Sequence, residues 1–280
     1  MIYKYKFMIY KYKDFDKKIN YDYLLKKNGF FILKNVLLKK NFKEIENLIT
    51  NTAKIYTKTK IKNFKFNNKN FHNELINLRS QNNNQFSKFF DSLQTSTLAY
   101  NFWLNKRILK IVKNILNCKF EEISATDFRI RLDSPVDTKN DLEWHQDSSY
   151  FKQNKNALNG LVCWVPLTNL TMDMGPLEIL DKSHKFGFIN VTKSKKFGTT
   201  QRKIDNKFIK SENLKKFELK LGDIMILNIN MIHRSGKNNS KVFRMSNICR
   251  FHKIDKNKFN PGMNIYKYND KKINKEVHGI

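Results

Sequence analysis

The rhythm of hydrophobic and polar positions changes near Lys119. Before it, apolar residues recur every three or four positions. Phe42, Ile45, Leu48, Ile49, Ala53 and Tyr56 make one such stripe; Phe89, Phe90 and Leu93, then Ile108, Ile111, Val112 and Ile115, make the next. The spacing predicts amphipathic helices over 41–56 and across 86–117, each packing its stripe on something else. Ahead of them, NYDYLLKKNGFFILKNVL (20–37) predicts a helix ending near Gly29 and a short apolar strand at 30–33. KTKIKNFKFNNKNFHN (58–73) has no period and predicts a long loop.

After Lys119 the pattern is that of strands. ISATDFRIRL (123–132), GLVCWVPL (160–167), PLEIL (176–180), FELKL (217–221), IMILNI (224–229) and VFRMSNICRF (242–251) are short and separated by turn residues. Strands in succession without helices between them predict a closed antiparallel sandwich or barrel. Helices first and strands afterwards give one α+β, mainly β domain over 21–280. The residues before it, 1–20, form a basic, aromatic arm with MIYKYK at 1–6 and again at 8–13, which reads as a short duplication. The stretch 181–216 is polar and aperiodic, as expected of a lid or substrate loop.

Within this frame one stretch carries chemistry, DLEWHQDSSYF (141–151). His145 and Asp147 are two apart beside strand-like sequence. In extended chain such positions share a face, so an imidazole and a carboxylate can occupy adjacent positions of one ion. His72 and Glu74 in FHNEL have the same spacing but lie in irregular sequence, and on a helix they would diverge, so they are set aside. His233, in NINMIHRSGKNNS, follows the strand 224–229 directly and supplies a second imidazole. Two histidines and one carboxylate form the facial triad of non-haem Fe(II) oxygenases. Its three open positions suit a chelating 2-oxo acid and O₂. Arg244 shares a strand face with Ser246, Ile248 and Arg250. A buried arginine needs an anion, and a dicarboxylate cosubstrate supplies one through paired hydrogen bonds.

Composition narrows the remaining classes. The chain of 280 residues is 40% hydrophobic, enough for a sizeable core and unlike a disordered composition. Its net charge of +29 invites a nucleic-acid reading. Only eight of the 54 basic residues are arginine, however, and lysine, asparagine, isoleucine, tyrosine and phenylalanine are abundant throughout. This looks like a codon-driven background, and lysine is the poorer residue for bidentate phosphate or base recognition. Nucleic acid is therefore not the expected partner. Three scattered cysteines without a CxxC pair exclude a disulfide framework and a cysteine zinc site. No apolar run reaches membrane-helix length and no signal-peptide core is present, so a cytoplasmic protein is expected.

From about residue 21 to residue 252 the chain resembles the phytanoyl-CoA dioxygenase family of Fe(II)- and 2-oxoglutarate-dependent oxygenases. NGFFILKNVL (28–37) is similar to the family's opening, and WHQDSSYF (144–151) resembles its first metal motif. GLVCWVPLTNLTMDMGPLEILDKSHKFG (160–187) resembles the central stretch, with Gly175-Pro176-Leu177 and Ser183-His184 in the family places. LGDIMILNINMIHRSGKNNSKVFR (221–244) resembles the last motif. The resemblance implies His145, Asp147 and His233 as metal ligands and Arg244 as the cosubstrate arginine. Ser235 and Asn238 are the accompanying polar positions, and Trp164 is an aromatic neighbour of the cosubstrate. His184 is read as a turn histidine outside the metal set. Asp181-Lys182 stand where the family usually has Pro-Gly, a departure that bears on the turn.

The implied fold is a double-stranded β-helix, a cupin-like jelly roll, with the N-terminal helices packed outside it. The implied cofactors are Fe(II), 2-oxoglutarate and O₂, with ascorbate as an accessory reductant. The implied reaction hydroxylates a small molecule and releases succinate and CO₂. Because Asp147 is present, halogenation is disfavoured, since the related halogenases have a small residue there. Arg129, Arg131 and Tyr150 are candidates for contact with the substrate, and the arginines suit an anionic one. The alternatives are a metal-binding barrel without catalysis and a basic anion- or RNA-binding protein.

Overall fold

A short strand, β1 (Ile9–Lys11), precedes the first helix, α1 (Tyr21–Asn28). The Asn20 side chain starts α1 by accepting a hydrogen bond from the Tyr23 amide (2.8 Å), and Gly29 ends it at φ 81°. The chain then enters β2 (Phe30–Lys34) directly. This is a computed structural model, and it describes residues 8–14, 20–57, 64–137, 141–151, 160–196, 199–256 and 259. Five further helices follow: α2 (Lys43–Thr57), α3 (Lys69–Gln81), α4 (Asn83–Gln94), α5 (Thr97–Asn101) and α6 (Lys106–Leu116).

The strands come next: β3 (Ile123–Asp133), β4 (Gly160–Pro166), β5 (Glu178–Leu180), β6 (Thr192–Lys196), β7 (Thr199–Lys203), β8 (Leu214–Lys215), β9 (Ile224–Asn228), β10 (His233–Arg234) and β11 (Arg244–Lys253). Six form a large sheet in the order β1-β2-β9-β4-β11-β3. Three form a small sheet, β10-β5-β8, and β6 pairs with β7 as a separate hairpin.

Alternation along the large sheet sorts its residues onto two faces. Phe31, Leu33, Leu161, Cys163, Val165, Ile224, Ile226, Met245, Cys249 and Phe251 belong to one hydrophobic cluster. That cluster also holds Ile45 and Ile49 of α2, Leu75 of α3, Phe86 and Phe89 of α4, and Ile108 and Ile111 of α6. Phe30, Ile32, Val162, Trp164, Met225 and Leu227 face the other way. They share a second cluster with Ile179 of the small sheet and with Leu170, Leu177, Phe217 and Leu219. Burial on both faces is why β2, β4 and β9 read as unbroken apolar runs. On β11 the second face carries Arg244, Ser246, Ile248, Arg250 and His252 instead, so polar groups line part of the space between the sheets.

Several expectations change. The helical region 86–117 breaks into α4, α5 and α6, because Ser96 and Asn105 each cap a new helix with their side chains. The loop expected over 58–73 gives way to α3 at Lys69, started by Asn68, which accepts from the Phe71 amide (2.9 Å). FELKL (217–221) is not a strand. Phe217 and Leu219 face the inner cluster, but only Leu219 pairs, in one isolated bridge with Leu170. The stretch 181–216 contains the β6–β7 hairpin, whose TKSKK and TTQRK have no apolar residue to announce it. In the arm 1–20, β1 pairs in parallel with β2, and the first MIYKYK copy lies outside the described residues.

Candidate metal centre

His145 and His233 lie directly opposite one another in an isolated antiparallel bridge, with both amide-to-carbonyl distances 3.0 Å. β10 pairs on with β5, His233 facing Ile179, so the small sheet fixes both imidazoles. Between His145 and Asp147, Gln146 is extended (φ −111°, ψ 137°), and it returns Asp147 to the face of His145 before a 3₁₀ turn over Asp147–Tyr150. Gln146 itself is fully buried. Its amide donates to the carbonyls of Gly187 (2.8 Å) and Asn230 (2.7 Å) and accepts from the Ile189 amide (2.9 Å). It ties the motif to the segment before β6 and to the chain before β10.

The side-chain atoms of His145, Asp147 and His233 that could hold an ion all lie within 4.8 Å of one another, and all three residues are buried. A backbone carbonyl can only accept, so it fixes each ring's tautomer. His145 Nδ1–H donates to Glu143 O (2.7 Å) and His233 Nδ1–H donates to Met231 O (3.0 Å). Each Nε2 is thereby left with a lone pair. His145 Nε2 is buried without a hydrogen-bond partner and stands 3.6 Å from Asp147 Oδ1. Burial pushes the pKa of His233 down to about 4, and the neighbouring His145 adds to this. A buried orphan nitrogen beside a carboxylate is the donor set that a divalent cation such as Fe(II) requires.

Asp147 is fully buried, and burial alone would raise its carboxyl. The Arg250 guanidinium, together with the neighbouring His145 and His233, more than offsets that and holds the pKa well below the ordinary value. Arg250 Nε donates to Asp147 Oδ2 (3.0 Å) and Nη2 to Oδ1 (3.1 Å), while Nη1 donates to Asp127 Oδ2 (2.9 Å).

Arg244 is buried at the other end of the same strand face, and it already has an anion. Its Nη2 is 2.8 Å and its Nε 3.1 Å from Asp133 Oδ2, and Nη1 donates to Gly236 O (2.9 Å). The sequence offers the cosubstrate as the anion for this arginine, and the structure adds a protein carboxylate. That carboxylate belongs to Asp133, directly opposite Arg244 on β3. Asp133 also accepts from Arg131 Nη2 (2.8 Å). Burial would raise the Asp133 carboxyl, but the two arginines bring it below its ordinary value.

The cavity at this place is lined by His145, Asp147 and His233 together with Arg131, Asp133, Trp164, Ser235, Arg244, Ser246 and Arg250. Ser246 Oγ is a second buried atom without a partner there. Ser235 Oγ accepts from the Leu142 amide (3.4 Å). Tyr150 stands edge-on to His145, with centroids 5.9 Å apart and planes at 79°. Arg129 lies apart from these groups. It lies on the edge strand, is half exposed and pairs with Asp127 (3.2 Å) outside the cavity lining. His184 is a turn histidine whose ring nitrogen donates to Lys26 O (2.8 Å) at the end of α1. His72 pins the start of β11 by accepting from the Phe243 amide (3.2 Å), and its other ring nitrogen lies 2.9 Å from Asn67 Oδ1. Asn238 donates to Asp133 O (3.1 Å) and Val242 O (2.8 Å). The residues the sequence reading passed over are Asp133, Asp127, Gln146 and Arg202. The acids show themselves only through the register of β3 on β11, which no local pattern gives.

Residues 25–246 match the phytanoyl-CoA dioxygenase (PhyH) family profile. No curated protein matches the sequence. Among solved structures, AviO1 from Streptomyces viridochromogenes is similar over 85% of this chain and 95% of its own, with a TM-score of 0.57 at 12% identity. EvdO2 from Micromonospora carbonacea var. aurantiaca, complexed with 2-oxoglutarate, is similar over 83% of this chain and 89% of its own, with a TM-score of 0.52 at 16% identity. The epimerase SnoN, in complex with Fe³⁺, alpha ketoglutarate and nogalamycin RO, covers 83% of this chain and 82% of its own, with a TM-score of 0.52 at 12% identity. At these identities the likeness is one of fold. No helix among the described residues is long and apolar enough to cross a membrane.

Proposed function

The chain belongs to the phytanoyl-CoA dioxygenase family, and from that premise we propose that it is an Fe(II)- and 2-oxoglutarate-dependent dioxygenase hydroxylating a small molecule. The observation that carries this is the pair of imidazole Nε2 atoms, both with free lone pairs, converging with the Asp147 carboxylate. Those three atoms would hold Fe(II). We read the two sheets around them as a double-stranded β-helix. When bound with 2-oxoglutarate and O₂, the iron supplies the oxidising chemistry, with succinate, CO₂ and hydroxylated substrate as products.

The chain's own part is placement and exclusion of water. The cavity lining holds three arginines against two aspartates, which leaves one positive charge before any metal enters. Arg244 gives Nε and Nη2 to Asp133 and one Nη1–H to Gly236 O, so its second Nη1–H is left for the far carboxylate of 2-oxoglutarate, with Ser246 Oγ in the same cavity as a neutral donor. Trp164, Val162, Leu227 and Ile248 supply the apolar wall. Arg202 of β7 lies over the Tyr150 ring (4.6 Å), which stands edge-on to His145, and its Nη1 is buried without a partner. An anionic group on the substrate fits that position.

The test is succinate formation by the purified, folded protein supplied with Fe(II) and 2-oxoglutarate. His145→Ala and His233→Ala are each expected to abolish it while leaving the circular dichroism unchanged. Arg244→Met is expected to raise the 2-oxoglutarate midpoint by at least about tenfold, as for one partner of a buried charged pair. Full succinate formation by either histidine variant overturns the reading. Tight Fe(II) binding by the wild-type chain with no succinate or CO₂ would leave a metal-binding barrel without catalysis.

A further inference from the structure

Asp147 is gripped more tightly than ligation alone requires. Both of its oxygens accept from a single guanidinium, Oδ2 from Arg250 Nε (3.0 Å) and Oδ1 from Nη2 (3.1 Å). The remaining Arg250 nitrogen is spent on Asp127 (2.9 Å), the residue directly opposite on β3. A register shift follows at once, between Arg250 and Phe251. The arginine is thus fixed from behind by one strand and presents a planar, two-toothed fork to the carboxylate.

The geometry of that fork has a chemical consequence. Two parallel N–H bonds take up the lone pairs that the two carboxylate oxygens direct toward one another's side. Those are the same lone pairs a cation needs in order to be chelated by both oxygens. Oδ1 is the oxygen 3.6 Å from His145 Nε2 and so faces the imidazoles through its other lone pair.

We propose that Arg250 is a positioning residue that holds the Asp147 carboxylate to a single coordinating oxygen, keeping three positions open on the metal. This rests on Asp147 being a ligand in the proposed oxygenase. Two oxygens from Asp147 would consume one of the three positions, and a chelating 2-oxo acid would then leave none for O₂. The backing carboxylate, Asp127, keeps the fork from following the metal. Arg250 is separate in this role from Arg244, which lies six residues earlier on the same face and is bound to Asp133.

The measurement uses the whole chain, anaerobic, loaded with Fe(II) and 2-oxoglutarate, and follows two signals. The visible band of the 2-oxoglutarate chelate reports two open positions. Nitric oxide, added as a probe in place of O₂, reports the third through its electron paramagnetic resonance signal. Arg250→Met is expected to keep the chelate band and to weaken nitric oxide binding by about tenfold or more, the usual scale for loss of a residue that orients a metal ligand. Arg250→Lys, which donates to one oxygen at a time, is expected to fall between. If the methionine variant does not fold, Arg250→Gln carries the same expectation, since it too lacks the fork.

Unchanged nitric oxide binding in folded Arg250→Met or Arg250→Gln overturns the proposal, whatever happens to their melting temperature. So does loss of both signals in step, which would make the arginine a prop for the whole site. A wild-type chain with no chelate band instead overturns the oxygenase reading on which the proposal stands, whereas an Asp147→Ala variant with both signals intact removes Asp147 from the ligand set and the proposal with it.

Discussion

Lys182 occupies a left-handed conformation, φ 59° and ψ 8°, at the start of the 3₁₀ turn that carries Ser183 and His184. The family usually places glycine there, and a residue with a Cβ bears roughly 1–2 kcal/mol of strain in that region. Against this, glycine costs about 0.5–1 kcal/mol in chain entropy. Lys182→Gly is therefore expected to raise stability by about 0.5–1 kcal/mol in urea unfolding, and a loss would show that the lysine side chain holds the turn. Gly29 is the opposite case. At φ 81° a Cβ on it would stand 2.3 Å from His184 Nδ1 and 2.6 Å from Met231 Sδ. The His184 ring fills that space while its other nitrogen donates to Lys26 O (2.8 Å). The NGF opening and the distant Ser-His pair are thus one packing unit, in which a histidine closes the last turn of α1. Gly29→Ala is expected to cost about 2 kcal/mol or more, read by the same unfolding measurement.

Single elements show why part of this structure was legible in the sequence and part was not. α2 could be read from its stripe, because Ile45, Ile49 and Ala53 are all buried at helical spacing. β2, β4 and β9 could be read from their apolar runs, and His145 and Asp147 from a spacing that the extended Gln146 converts into one shared face. The hairpin β6–β7 could not, since TKSKK and TTQRK contain no apolar residue and so have no hydrophobic period to display. Nor could the bond of Arg244 to Asp133 or of Arg250 to Asp127. Each depends on which residue of β3 comes to lie opposite, and a slip of register by one would have put every partner on the other face. Because the hairpin was read only as a polar stretch, Arg202 was missed as well, although it reaches Tyr150 next to His145. Arg202→Ala is expected to raise KM for an anionic substrate by about tenfold or more, the scale of one lost charge-assisted contact, while leaving substrate-free 2-oxoglutarate turnover unchanged. Equal KM values would place the substrate's charge elsewhere.

Over the whole molecule, lysines and arginines divide the work. Among the described residues, six of the arginines are in ion pairs, Arg79 with Asp137, Arg129 with Asp127, Arg131 and Arg244 with Asp133, Arg234 with Glu178 and Arg250 with Asp127 and Asp147, whereas lysine supplies the bulk of the +29 charge. An excess charge carried by solvated lysines is screened by salt and says little about the fold. The pH response of the fold is expected to come from the interior instead. His72, His233 and His252 are each pushed down to about 4, by burial above all. In the unfolded chain a histidine titrates near 6.5. Between those two values the unfolded chain binds protons that the folded chain does not, so stability falls as pH falls from about 6.5 toward 4. Above about 6.5 neither state holds the protons, and the effect vanishes. Asp133 and Asp147, whose pKa values are lowered in the fold, act in a different window, losing their contribution only as pH falls below the ordinary carboxylate range. His72 separates the first effect from the metal centre, because it sits on α3 and holds the Phe243 amide (3.2 Å) rather than the triad. A glutamine there can still accept that bond through its side-chain oxygen and has no proton to gain. In the metal-free chain, urea midpoints measured at intervals between pH 7 and pH 4 should therefore fall less steeply for His72→Gln than for the wild type. The difference should approach one proton, about 1.4 kcal/mol per pH unit. Parallel curves would show that His72 takes up its proton within the folded protein, and would move the acid sensitivity of this fold onto His233 and His252.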